Sequence, residues 1–121
     1  MKIGIAGPIT LSMLKRLFPS DTQLPATLSF PLIPTLAERF HQRRHKIVVF
    51  GLSAEVSTTQ FFAGDCIEAY VCPQRRPRWQ MLDFFRQERR ALADAMQQSG
   101  CDIIHAHWTY EFGAAAVESG V

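Results

Sequence analysis

Residues 46–52, KIVVFGL, are continuously apolar after Lys46 and rich in β-branched side chains. A strand with one wetted face alternates apolar and polar residues. A run without alternation needs cover on both faces. A sheet covered on both faces is the middle layer of an α/β fold, so this segment narrows the fold more than any other. Three further runs have strand chemistry: KIGIAG at 2–7, ended by the Gly7-Pro8 turn signal, CIEAYVC at 66–72, ended by Pro73, and CDIIHAH at 101–107.

Helical patterns lie between them. Apolar residues at 11, 14, 17 and 18 suit a short helix stopped by Pro19. Leu32, Ile33, Leu36, Ala37 and Phe40 share one helical face, and Thr35 with Glu38 has capping-box spacing after Pro34. Residues 79–99 read as one long helix with a buried stripe of Met81, Phe85, Leu92 and Met96, stopped by Gly100. Residues 110–119 read as a last helix. Residues 19–31, 53–65 and the basic PQRRPR segment at 73–78 have loop chemistry.

The alternation predicts an α/β chain: a Rossmann-like three-layer sandwich with a mainly parallel sheet. Its four strands are expected in the order 3-2-1-4, which leaves the fourth as an exposed apolar edge, prone to self-association. At 121 residues, with 47% hydrophobic and 20% charged side chains, the chain suits one domain with a real core. A net charge of +2 is too small to argue for a nucleic-acid partner. No apolar stretch is long enough to span a membrane, and the amino terminus reads as a strand rather than a signal peptide. Cys66, Cys72 and Cys101 are odd in number and form no C-x-x-C pair. Free buried thiols in a reducing cytoplasm are expected.

In a doubly wound sheet, ligands bind beyond the carboxyl ends of the strands, where the winding reverses. Here that point lies between the first and fourth strands. It brings Gly7-Pro8-Ile9-Thr10 to His105-Ala106-His107-Trp108. The two histidines are two apart and share one face. They fit a metal pair, hydrogen bonding to a hydroxyl or phosphate oxygen, or a packed structural role. His107 is nearer the strand end. His41 and His45 lie too far off to complete a metal site. Trp108 offers a stacking platform for a sugar ring, or a cap on the core. Glu111 is either a cleft carboxylate or an ordinary first-turn acid. Gly7 lets a ligand approach the backbone. Neither a G-x-G-x-x-G nor a Walker A sequence is present. Arg75, Arg76, Arg78, Arg86, Arg89 and Arg90 cluster around Trp79. That cluster suits an anionic lipid surface, a phosphorylated acceptor or simply a solvated face.

DIIHAHWTYEFGAAAVESG, MKIGIAGPI and PLIPTLAERFHQRRHKIVVFGLS occur in the order found in family-four glycosyltransferases of the GT-B type, and the chain resembles them over nearly its whole length. Two features depart from their pattern. LPATLSFPLIP lacks the glycine-rich loop, and Arg44 stands where a glycine is usual. The chain also stops before the second domain and its E-x7-E motif, so the resemblance implies an amino-terminal, acceptor-side fragment that is inactive alone. It implies a retaining, metal-independent transfer of sugar from a nucleotide-sugar donor to an acceptor hydroxyl, with no other cofactor. His107 would be the catalytic histidine. Gly7, Pro8, Thr10, His105, Trp108 and Glu111 would contact substrate. A cytoplasmic setting, peripheral to the inner face of the membrane, would follow. The alternatives are a small flavodoxin-like binding or regulatory module and a metal-dependent hydrolase using the H-x-H pair.

Overall fold

The structure is a computed structural model describing residues 1–27 and 30–121. Residues 28 and 29, in the expected loop at 19–31, lie outside the described residues.

The chain is α/β, with a mostly parallel sheet of five strands: β1 (Lys2–Ala6), β2 (Lys46–Ser53), β3 (Gln60–Ala63), β4 (Ile67–Pro73) and β5 (Ile103–Ala106). Their order is β3-β4-β2-β1-β5. The expected four-strand order is corrected by β3, which pairs antiparallel to β4 and makes the sheet mixed. β4, β2, β1 and β5 are mutually parallel neighbours. β3 falls where a loop was expected, because only Phe62 of its four residues packs into a core. Its neighbour Phe61 lies on the outer side of the hairpin against the Tyr70 ring, centroids 5.0 Å apart.

β2 explains its own sequence. Ile47 and Val49 enter one core with Ile3, Ile5, Leu11, Leu14, Ile33 and Ala37. Val48, Phe50 and Leu52 enter a second core with Leu92, Met96, Phe112 and Ala115. The sheet is therefore covered on both faces, and β2 has no wet side to alternate toward.

The first helical segment, Leu11–Leu17, is a 3-10 helix. Leu11, Leu14 and Leu17 repeat every three residues, the period that aligns side chains in that helix. Helix α1 (Leu32–Gln42) starts before Pro34, which sits in the first turn where no amide partner is lost. The expected capping box does not form. Thr35 Oγ1 donates to the Pro31 carbonyl at 3.1 Å, and Glu38 pairs with Arg16 at 2.7 Å. Leu32, expected on the buried face, is exposed.

The expected single helix at 79–99 is two: α2 (Pro77–Leu82) and α3 (Arg86–Ser99). Phe84 and Phe85 between them have left-handed backbone, φ 54° and 59°. An Asp83 carboxylate oxygen accepts the Arg86 N–H at 3.3 Å, starting α3. The break rotates Met81 out of the expected stripe; it is 69% exposed, while Leu92 and Met96 stay buried. Gly100 ends α3 with φ 65°. After β5 a π-helical turn at Thr109–Gly113 leads into α4 (Ala114–Ser119). Cys72 and Cys101 are buried as expected, but Cys66, at a left-handed turn residue before β4, is exposed. No described helix is long and apolar enough to cross a membrane.

Candidate functional site

β1 and β5 run side by side in the same direction, with Ile5 opposite His105 and Ala6 opposite Ala106. One residue further, the His107 N–H donates to the Ala6 carbonyl at 2.8 Å. Backbone pairing thus fixes His107 at the carboxyl end of the edge strand. Gly7 sits under it: a Cβ there would lie 3.1 Å from His107 Cβ and 2.7 Å from Ile33 Cδ1. A side chain at position 7 would press on Ile33 and on His107 Cβ, so the glycine leaves room for both.

His105 and His107 share a face, as their spacing requires. Their rings stack, centroids 4.5 Å apart and planes 29° apart. His107 Nε2 is buried and has no hydrogen-bond partner among the described residues. Burial and, secondarily, repulsion from His105 hold the His107 imidazole below its ordinary titration range. The ring forms one wall of an apolar recess of about 290 Å3, whose other walls are Leu32, Thr35, Leu36 and Arg39 of α1. Stacked rings turn their faces to each other rather than aiming two nitrogens at one point. Among the described residues no three His, Cys, Asp or Glu side chains are gathered to hold a metal ion.

The remaining expected residues separate. Gly7 and Pro8 are both buried, and Gly7 lies against His107. Thr10 Oγ1 accepts the Phe30 N–H at 3.0 Å, and Thr10 lines a different recess with Thr27 and Glu55. Trp108, one residue past His107, turns to the α2–α3 side. It is 52% exposed, so it does not cap the core. Its φ of 68° with ψ of 130° is a conformation a non-glycine residue adopts only at a cost of about 1–3 kcal/mol.

Trp108, Thr109, Tyr110 and Glu111 line a cavity of about 470 Å3 with Gln74, Gln80 and Phe85. Glu111 is 5% exposed. Burial, and then the nearby Glu88 charge, push its carboxyl above the ordinary range. Phe85 stacks on Tyr110, centroids 6.3 Å apart. Behind this wall lies an ion cluster. Arg75 Nη2 contacts Asp83 Oδ1 and fully buried Glu88 Oε1, each at 2.7 Å. Burial works to raise the Glu88 carboxyl, but the Arg75 bonds outweigh it and hold it below the usual range. Gln80 Nε2 reaches Glu88 Oε2 at 3.4 Å and joins cluster to cavity.

Sequence reasoning missed Gln80, Phe85 and Tyr110 as cavity walls. One signal was present: in extended chain, His107 and Trp108 must face opposite ways. Comparison with models of known families, with curated proteins and with solved structures returned no match.

Proposed function

We propose that the chain is the acceptor-side, Rossmann-like domain of a glycosyltransferase, acting in the cytoplasm with a second α/β domain that holds a nucleotide-sugar. The observation that carries this reading is the buried Nε2 of His107, without a partner among the described residues, beside Gly7 at the carboxyl end of β5. A nitrogen so placed is suited to a hydroxyl, and its depressed basicity keeps it neutral at physiological pH. A second observation supports the family resemblance. Arg44, at the glycine position of that family's pattern, has φ 65°, a backbone conformation in which glycine is the favoured residue.

In the transfer, a bond forms between the acceptor oxygen and the anomeric carbon. The bond from that carbon to the diphosphate oxygen breaks, and the hydroxyl proton leaves with the nucleoside diphosphate. His107 hydrogen-bonds and orients the sugar, lowering the barrier by position. The Trp108–Glu111 cavity takes the acceptor, with Trp108 and Tyr110 as ring platforms. The buried Glu111 carboxyl hydrogen-bonds an acceptor hydroxyl.

Ligand-observed NMR of the chain with hydroxyl-bearing glycosides and nucleotide-sugars tests this. Nucleotide-sugar binding that shifts the His107 ring signals and weakens at least tenfold in His107→Ala, with glycoside binding that shifts the Trp108 ring signals, is the expected result. Nucleotide-sugar binding unaffected by His107→Ala, or no glycoside binding at all, refutes it.

A further inference from the structure

We infer that α2 and the turn after it dock the protein on an anionic lipid bilayer. The helix is built inside-out. Its one buried side chain is polar Gln80, held by Glu88, while Leu82 is 75% exposed and Met81 and Trp79 are exposed beside it. At 3.6 residues per turn, Arg78 and Leu82 lie on the face opposite Gln80, flanked by Met81 and Trp79. Phe84 extends this surface: it is exposed and packs edge-on against Tyr110 at 5.6 Å.

Charge identifies the occupant. Residues 75–90 hold six arginines and two acids. Both acids, Asp83 and Glu88, are bound to Arg75. Arg89 is paired with Glu118. Arg76, Arg78, Arg86 and Arg90 remain exposed around the apolar side chains. The Arg78 guanidinium lies 5.0 Å from the centre of the Trp79 ring. Tryptophan, leucine and methionine ringed by arginine on an exposed helix face match the chemistry of a lipid headgroup boundary. The apolar groups enter the acyl layer and the cations stay among phosphates.

Vesicle co-sedimentation tests the inference. The vesicles are phosphatidylcholine alone or phosphatidylcholine and phosphatidylglycerol in equal parts. The chain should pellet with the mixed vesicles and bind the neutral ones at least tenfold more weakly. In a Trp108→Phe background, Trp79 emission should shift to the blue on the mixed vesicles. Arg76→Gln with Arg78→Gln, and separately Leu82→Ser, should each weaken binding about fivefold or more. Both changes are on exposed side chains, and circular dichroism checks that the fold is kept. Equal binding to both vesicles, binding indifferent to these changes, or a dimer in sedimentation velocity that Leu82→Ser dissolves would overturn the inference. None of these readouts depends on sugar chemistry.

Discussion

The imidazoles of His105 and His107 stack with centroids 4.5 Å apart, and of the two only His107 has a buried nitrogen without a partner among the described residues. Protonating His107 would place charge against burial and against its neighbour. The folded-state value is lowered from 6.5, so the unfolded chain binds the proton first as pH falls. Stability is therefore unpenalised above that range and declines as pH drops through it. Ring-proton NMR should show His107 titrating below an ordinary imidazole, and His105→Ala should move it upward by removing the repulsion. An unchanged His107 titration in that variant would show that the stacking has no electrostatic consequence.

Gly7→Ala places a methyl 2.7 Å from the Ile33 side chain and 3.1 Å from His107 Cβ. Overpacking of this kind costs about 1–3 kcal/mol. Urea unfolding should show that loss, and the His107 ring signals should shift with it. Full stability with unmoved signals would mean that the floor can yield.

Glu111 carries the opposite linkage. Its folded-state value is raised from 4.5, so the unfolded chain releases its proton at lower pH. The folded state loses stability as pH rises from that value through the raised one, and carries the full penalty above it. Glu111→Gln should melt higher than the parent at neutral pH, with the gap closing as pH falls toward 4.5. Calorimetry at several pH values checks this; a gap independent of pH would assign the effect to packing.

Arg75→Met leaves Glu88, fully buried at its side chain, without its cation. Loss of one partner from a buried pair costs roughly 3–5 kcal/mol. Combining Arg75→Met with Glu88→Leu should recover much of that loss, because only the partly exposed Asp83 then lacks its cation. Denaturant titration of the single and double variants gives the coupling directly.

β2 was legible because its sequence needs two cores and the fold supplies both. The position of His107 was legible because parallel order alone brings β1 and β5 together. The break at Asp83–Phe85 was not. Met81 and Phe85 continue a helical period, and left-handed aromatics are intrinsically disfavoured. The tether from Asp83 to Arg75 accompanies that break, and it spans eight residues, beyond the reach of any local pattern. β3 was hidden by its shortness and its single buried side. The division of His107 from Trp108 and Glu111 was half-legible. Strand alternation implied it, but nothing local announced the π-helical turn that carries Glu111 inward.

That turn starts at Trp108, whose unusual φ is separated from His107 by one planar peptide. The α1 recess and the aromatic cavity are thus two rooms sharing a hinge post. A guest that relaxes Trp108 turns the peptide joining it to His107, one residue beyond the amide anchored on Ala6, and any influence between the two rooms is mutual by equilibrium thermodynamics.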